Sequence, residues 1–165
     1  LQAEGVLYTG IDFSPALIAI AKEKYCRDPR STFHVKNAYD LTPDLMISSG
    51  RPFTHVIISA VLMYLNNEEF FKLFKNLAAI VEPGTIIFIR EPLAMEQRLT
   101  LKAHWSEELK AQYNAIYRTA NELQSLIGSN ADALSLDLLD MGPMYPEEFN
   151  NRKETQQHYL IYKTK

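Results

Sequence analysis

Short apolar runs alternate along the chain with segments in which apolar residues recur at helical spacing. Strand-length runs occur at Val6–Ile11, Phe33–Val35, His55–Ala60 and Thr85–Ile89. The last two are apolar over nearly their whole length, which is typical of parallel strands covered on both faces. Strands alternating with helices in this order predict a doubly wound α/β sheet, in which the run at 55–60 is central.

Two helical segments lie between these runs. The first begins at Ser14, a capping residue followed by proline at the first helical position, and is predicted to stop at Asp28–Pro29. The second begins at Asn67 and carries a single apolar stripe as far as Val81. Glu82-Pro83-Gly84 is predicted to end it.

The remaining chain predicts two further helices and then two strands. One helix begins at Ser106-Glu107-Glu108 and carries Leu109, Tyr113 and Ile116 on one side. The other lies between Thr119 and Gly128, where Thr119 and Glu122 form a capping box. Ala133–Leu139 and Thr155–Tyr162 are predicted strands, antiparallel because only a turn-rich stretch separates them.

Composition limits the classes of protein that fit. With 165 residues, 47% of them hydrophobic, and no linker, the chain is expected to form a single domain over residues 1–165. A net charge of −3 gives no support to a nucleic-acid partner. The one cysteine, Cys26, cannot form an internal disulfide, and no apolar run is long enough for a bilayer, so we expect a cytoplasmic protein without membrane contact.

The histidines give no sign of a metal centre. They are scattered along the chain without the paired spacing of metal ligands, so no metal is expected. The four are His34, His55, His104 and His158.

Polar residues follow four of the predicted strands, where ligands bind in open α/β sheets. These places are Asp12–Ser14, Asn37–Asp40, Ser59–Tyr64 and Arg90–Pro92. An acid at a strand end can accept hydrogen bonds from both hydroxyls of a ribose, and Asp12 is placed for this role. It could equally cap the helix that begins at Ser14, and the residues alone leave both roles open.

These segments resemble the motifs of class I S-adenosylmethionine-dependent methyltransferases. Gly10–Ser14 is similar to the second signature, and Phe33–Leu41 resembles the segment that lines the adenine. His55–Leu65 resembles the fourth strand with its turn, and Val81–Ile87 resembles the proline-glycine turn before the fifth. The resemblance covers almost the whole chain. It implies a Rossmann-like, mostly parallel sheet with an antiparallel last strand, S-adenosyl-L-methionine as cofactor, and methyl transfer to a small organic molecule.

Carried over position by position, the resemblance implies contacts to three parts of the cofactor. The residues concerned are Asp12, Phe13, Asn37, Ala38, Tyr39, Ser59 and Ala60. The first two would hold the ribose and cover the adenine, the next three would meet the adenine edge, and the last two would face the methionine part. Many family members carry an acid where Asn37 stands. Its amide can still accept a hydrogen bond, and a turn-forming asparagine is the alternative.

Acceptor-side candidates come from the ends of the two apolar strands and from the segment after them. Glu91 could serve as a base or orient an acceptor, and the alternatives are a salt bridge to Arg90 or a surface position. Tyr64 is a second catalytic candidate, for which packing is the alternative. The family often builds an acceptor lid between its fifth and sixth strands, which implies a helical lid at 93–130. Its candidate substrate residues are His104, Trp105, Tyr113, Tyr117 and Arg118, with helical core packing as the alternative for Tyr113 and Tyr117.

One family signature is absent. The first strand and its glycine-rich turn should precede the ribose-binding acid by about twenty residues, and only eleven precede Asp12. We therefore expect an N-terminally truncated chain. In the family's strand order, 3-2-1-4-5-7-6, the missing strand lies between the strands that end at Asp12 and Ala60. The alternatives to a gap there are that another chain supplies the strand or that the two flanking strands pair with each other.

Three functions remain open from the sequence. The first is a methyltransferase. For this hypothesis we expect that these residues alone bind the cofactor weakly or not at all, and that they associate with one another through open sheet edges. The second is a non-catalytic fragment or pseudo-enzyme that binds a partner. The third, a nicotinamide-dependent dehydrogenase, shares an acid after its second strand but explains Glu82-Pro83-Gly84 poorly.

Overall fold

The computed structural model describes residues 5–25, 29–47, 50–106, 110–150 and 152–165. Within these ranges the chain is an α/β protein with eight strands and three α-helices. The strands are β1 (Tyr8–Asp12), β2 (Ser31–Val35), β3 (Phe53–Ser59), β4 (Val81–Ala94), β5 (Leu99–Ser106), β6 (Ala111–Tyr117), β7 (Leu136–Pro143) and β8 (Thr155–Thr164). The helices are α1 (Pro15–Tyr25), α2 (Asn67–Leu77) and α3 (Ala120–Gly128).

The strands form three sheets. β1 and β2 pair in parallel, and a four-stranded sheet has the order β3-β4-β8-β7. Within the larger sheet β3 and β4 are parallel, whereas β8 runs antiparallel to both β4 and β7. The predicted α/β class and the antiparallel last strand are therefore confirmed. β5 and β6 form a separate antiparallel hairpin.

The strand neighbours are compatible with the order that the resemblance implies. Among the described strands, β1 pairs only with β2 and β3 only with β4, so each has one open edge. The expectation that β3 is central and covered on both faces does not hold for the described residues. There β3 is an edge strand, and its Ile57 is 63% exposed.

The core is built by α2 against the four-stranded sheet. Asn66 caps α2 and forms a capping box with Glu69, so the backbone donors at this helix end are satisfied. Phe70 and Phe74 are completely buried and stack with ring centroids 4.8 Å apart. Full burial of such a side chain contributes about 2–3 kcal/mol, which makes this face of α2 the principal anchor of the fold.

One predicted helix boundary needs correction. α2 ends at Leu77 rather than Val81, and residues 82–84 belong to β4, where Gly84 adopts φ +90°. The chain leaves the helix early because the apolar residues from position 80 onward pair with β3. The predicted end of α1 at Asp28 lies outside the described residues, as does Cys26.

The helix predicted from Ser106 to Ile116 is wrong. Its described part is β6, which pairs with β5, while residues 107–109 lie outside the described residues. Burial along β6 alternates, with Ala115 and Tyr117 inside and Asn114 outside, and this period of two belongs to a strand. The segment 93–130 is therefore a hairpin followed by α3. That last helix begins at Ala120 with the predicted Thr119 as its N-cap, whose Oγ1 accepts from Glu122 N at 3.2 Å. The other half of the predicted capping box is not formed, because the Glu122 carboxylate pairs with Arg98.

In the described part of the chain no helix is long and apolar enough to cross a membrane. The same residues contain no group of three or more side chains that could together hold a metal ion.

Candidate functional site

Asp12 stands at the carboxyl end of β1 and shapes the entry into α1. Its Oδ1 accepts a hydrogen bond of 2.7 Å from the backbone N–H of Ser14. Ser14 in turn accepts from the N–H of Leu17 at 3.3 Å. Oδ2 of Asp12 makes no hydrogen bond to the described residues, and the side chain is half-buried. Asp12 thus makes the local turn contact and keeps one oxygen for a further donor.

The adenine-side candidates follow β1 and β2. Phe13 is 71% exposed. Asn37 uses its Nδ2 to donate to Asp40 Oδ2 at 3.1 Å, which is the turn contact considered as its alternative role. Ala38 and Tyr39 are half-buried and pack against the main core.

This loop is tied to α2. The carbonyl of Tyr39 accepts from Asn76 Nδ2 at 2.8 Å, and Lys72 Nζ lies 4.9 Å from the Tyr39 ring centroid. Lys72 also pairs with Asp40 at 2.6 Å, a contact that lowers the pKa of this carboxyl. The loop after β2 is therefore held in place by the helix that anchors the core.

Ala60 turns the chain out of β3 in a left-handed conformation. Its φ is +52°, which costs a non-glycine residue about 1–2 kcal/mol. Its N–H donates to the carbonyl of Arg90 at 2.8 Å, so the end of β3 remains attached to β4. Ser59, just before it, is exposed. A short 3₁₀ turn at Leu62–Tyr64 follows.

Glu91 is buried beneath this turn, with 2% of its surface exposed. Its Oε1 accepts from the N–H groups of Val61 and Leu62, both at 2.7 Å, and its Oε2 accepts from that of Met63 at 3.3 Å. Burial raises the pKa of Glu91 to about 7, while the three N–H donors oppose that rise. The predicted salt bridge to Arg90 is not among the contacts of this carboxylate.

Arg118 approaches the same turn from the other side. Its guanidinium donates to the carbonyls of Leu62 and Leu65, each at 2.8 Å, and to Asn67 Oδ1 at 3.1 Å. It also lies 5.4 Å from the ring centroid of Phe70. Because Arg118 is 2% exposed, it supports the turn from inside and does not face an open acceptor site.

A cavity of about 250 Å³ lies between this turn, the hairpin and β8. Of the predicted residues, four line it: Ala60, Tyr64, Tyr113 and Tyr117. The hydroxyls of Tyr113 and Tyr117 are 3.4 Å apart. Burial raises the pKa of both Tyr64 and Tyr117 above the ordinary tyrosine value, so both hydroxyls keep their protons at neutral pH.

Two other predicted substrate residues lie on the hairpin beside the cavity. The His104 ring packs edge-on against Tyr113, with centroids 5.6 Å apart and planes at 83°. Trp105 is 51% exposed. Neither lines the cavity, and neither does Glu91.

β8 and the loop before it provide a wall of the cavity that was not predicted from the sequence. This wall consists of Asn150, Arg152, Thr155 and Gln157. Thr155 and Gln157 are two residues apart in the predicted last strand, so their side chains lie on one face of it. This spacing was the signal in the sequence that could have grouped them. Which face meets the hairpin depends on the antiparallel register, in which Gln157 lies opposite Pro92.

One protein family matches the chain. The family described as "Methyltransferase domain" matches residues 1–84, just over half of the chain. No curated protein matches the chain.

Solved structures share the fold at low identity. A SAM-dependent methyltransferase from Methanosarcina mazei is 16% identical, with a TM-score of 0.63 over 94% of this chain and 80% of that one. The 1,6-didemethyltoxoflavin-N1-methyltransferase of Burkholderia thailandensis, with its bound substrate and S-adenosylhomocysteine, is 13% identical (TM-score 0.67; 94% and 60% covered). Magnesium protoporphyrin IX methyltransferase from Synechocystis, with bound SAM, is 14% identical (TM-score 0.61; 98% and 61% covered).

Likeness at these identities establishes the fold alone, whereas the family match covers the segments that hold Asp12, the loop after β2 and the turn after β3. The chain therefore belongs to the methyltransferase domain family.

Proposed function

We propose that the chain performs S-adenosyl-L-methionine-dependent methyl transfer to a small organic molecule. The cofactor lies over the carboxyl ends of β1, β2 and β3, and the acceptor occupies the cavity beside the hairpin. One observation carries the proposal. Ala60, which follows β3 on the expected cofactor side, also lines the cavity together with Tyr64, Tyr113 and Tyr117. The two ligands would therefore meet at one turn.

On the cofactor side, Asp12 has a free carboxylate oxygen for a ribose hydroxyl, while its other oxygen fixes the carboxylate through Ser14. A charge-assisted hydrogen bond of this kind is among the strong ones. Phe13 offers an exposed ring to the adenine, and Asn37, Ala38 and Tyr39 supply the loop edge beside it. Ser59 and Ala60 would face the methionine part.

On the acceptor side, aromatic walls with a few polar tips suit a small organic ligand. The volume of about 250 Å³ is near the lower end for ligand pockets, which favours a small acceptor. The toxoflavin precursor named for the Burkholderia neighbour is also a small organic compound. His104 and Trp105 extend this aromatic surface outside the cavity.

Methyl transfer asks mainly for alignment. The bound cofactor supplies an activated sulfonium methyl group, so the protein must hold the acceptor in line with it. Tyr64 has its ring in the cavity wall and keeps its hydroxyl proton, which suits it to orient an acceptor atom. Glu91 does not line the cavity, and both of its carboxyl oxygens already accept from N–H groups of the turn. We therefore assign it to support of the turn.

The test is calorimetric titration with S-adenosylhomocysteine. Asp12→Ala should weaken binding by roughly 1–3 kcal/mol, because it removes a charge-assisted hydrogen bond. The matched control is Asp137→Ala, an exposed acid on β7 paired with Lys165, which should leave the affinity unchanged. Equal affinities for Asp12→Ala and the parent chain would contradict the proposed cofactor site.

A second function is favoured by the open edges of β1 and β3. They offer unpaired backbone groups next to exposed apolar side chains such as Phe13 and Ile57, which suits a non-catalytic domain that binds a partner strand. A folded chain that shows no response to S-adenosylhomocysteine in the titration would favour this alternative.

A further inference from the structure

The short turn after β3 is held at both of its ends by buried charged side chains. At one end, three consecutive N–H groups, those of residues 61–63, point at the carboxylate of Glu91. At the other end, two carbonyls, those of Leu62 and Leu65, accept from Arg118. A negative group at the donor end and a positive group at the acceptor end both complement the dipole of the turn.

The two side chains do not pair directly with each other. Each is 2% exposed, and burying a charge is costly unless hydrogen bonds compensate for lost water. Here the compensation comes from the backbone of residues 61–65 and from Asn67. In this arrangement both Glu91 oxygens and both terminal nitrogens of Arg118 have hydrogen-bond partners, whereas Arg118 Nε has none among the described residues.

Glu91 and Arg118 come from opposite sides of the candidate site. Glu91 lies on β4, next to Arg90, whose carbonyl also holds the N–H of Ala60. Arg118 follows directly after β6, the strand that carries Tyr113 and Tyr117 into the cavity. A shift of the hairpin would thus pull on the carbonyl end of the turn.

We propose that Glu91 and Arg118 are positioning residues that jointly fix the turn of residues 61–65, which sets the ring of Tyr64 in the acceptor cavity and the backbone of Ala60 at the cofactor. The importance of these two positions rests on the proposed function. The two-ended hold on the turn is a property of the chain without any ligand.

The first experiment measures backbone amide exchange by NMR, without cofactor. Glu91→Gln has the same shape but no charge and turns one acceptor into a donor. We expect exchange at Val61, Leu62 and Met63 to become about tenfold faster, the scale of one charge-assisted hydrogen bond. The control Glu82→Gln removes an exposed charge from the same strand and should change nothing there.

Arg118→Met tests the other end of the turn. Exchange should accelerate by a similar factor at Leu65, whose N–H donates to Leu62, a carbonyl that Arg118 holds. Arg98→Gln is the matched control, because Arg98 pairs on the surface with Glu122. If the two residues act on one turn, their effects are not independent. The increase in exchange rate in the double variant should then be smaller than the product of the increases in the two single variants.

The second experiment separates positioning from simple stability. At a temperature where Glu91→Gln is fully folded, its affinity for S-adenosylhomocysteine should fall at least about fivefold relative to Glu82→Gln. Faster exchange confined to residues 61–65 together with this loss supports the proposal. Unchanged exchange there, equal acceleration in the β4–β8 ladder, or unchanged affinity overturns it.

Two points keep the test decisive. If Glu91→Gln or Arg118→Met does not fold, Arg118→Lys keeps the charge with a different donor geometry, and the same exchange comparison applies. If the parent chain does not bind S-adenosylhomocysteine, the proposed function fails. In that case the exchange result alone decides whether Glu91 and Arg118 hold the turn.

Discussion

The hydroxyls of Tyr113 and Tyr117 lie 3.4 Å apart on one face of β6, where both rings line the cavity beside the turn after β3. A separation of four residues places two side chains on one face of a helix, and an even separation does the same in a strand. The pair therefore reaches the acceptor cavity even though the predicted helix is a hairpin.

The first prediction concerns this tyrosine pair. Tyr117→Phe removes the Tyr117 hydroxyl, which contacts the Tyr113 hydroxyl at a buried position. The free energy of unfolding should therefore fall by about 1 kcal/mol. Tyr145→Phe changes an exposed ring and should have almost no effect. Urea unfolding of both variants measures the difference. Equal stabilities would show that the Tyr117 hydroxyl contributes nothing at this position.

The second prediction concerns Glu91 and pH. Burial raises its pKa from 4.5 to about 7, so between these values the folded chain keeps a proton that the unfolded chain has lost. This contribution to stability is complete at acidic pH and is lost as the pH rises, by roughly 1 kcal/mol per pH unit in that interval.

Urea unfolding at about pH 5, 6 and 7 measures this slope. Glu91→Gln has no titratable group at this position, so the decrease in its free energy of unfolding with rising pH should be smaller than in the parent chain. Glu82→Gln should show the same decrease as the parent chain. A parent chain and a Glu91→Gln variant with identical pH dependence would contradict the assignment.

The third prediction concerns the open edges of β1 and β3. Unpaired strand edges with exposed apolar side chains template association, so the chain should form oligomers as its concentration increases. Ile57→Lys places a charge on β3 and should shift light scattering toward the monomer. Ile47→Lys, at an even more exposed apolar residue outside both edges, should leave association unchanged. Equal scattering by the two variants would exclude the β3 edge.

Much of the fold could be predicted because its signals are local. Apolar runs of strand length and the apolar stripe after Asn67 identify β3, β4 and α2 without tertiary information, although the cap is Asn66, one residue before the predicted one. The hairpin could not be identified in this way, since Tyr113 and Ile116 are spaced as on a helix while Tyr113, Ala115 and Tyr117 alternate as on a strand. Pairing with β5 decides between the two patterns, and the sequence does not show that pairing.

The site shows the same division. Asp12 and Ala60 could be found because they follow strands, and sheet topology brings strand ends together. Gln157 could not be found because its place in the cavity depends on the register of β8, and Arg152 could not be found because it lies in the loop before that strand. For Glu91 the position was predicted but the surroundings were not. Its three N–H partners come from a turn whose shape depends on the positive φ of Ala60.

The central claim is that cofactor and acceptor meet at the turn after β3. The most direct measurement is NMR chemical-shift mapping with S-adenosylhomocysteine, which detects even weak binding. The account predicts shifts at Asp12, at Ala38 and at Ala60, with Tyr64 affected next and the exposed β7 residue Leu139 unaffected. Shifts confined to other parts of the chain, or no shifts at saturating ligand, would contradict it.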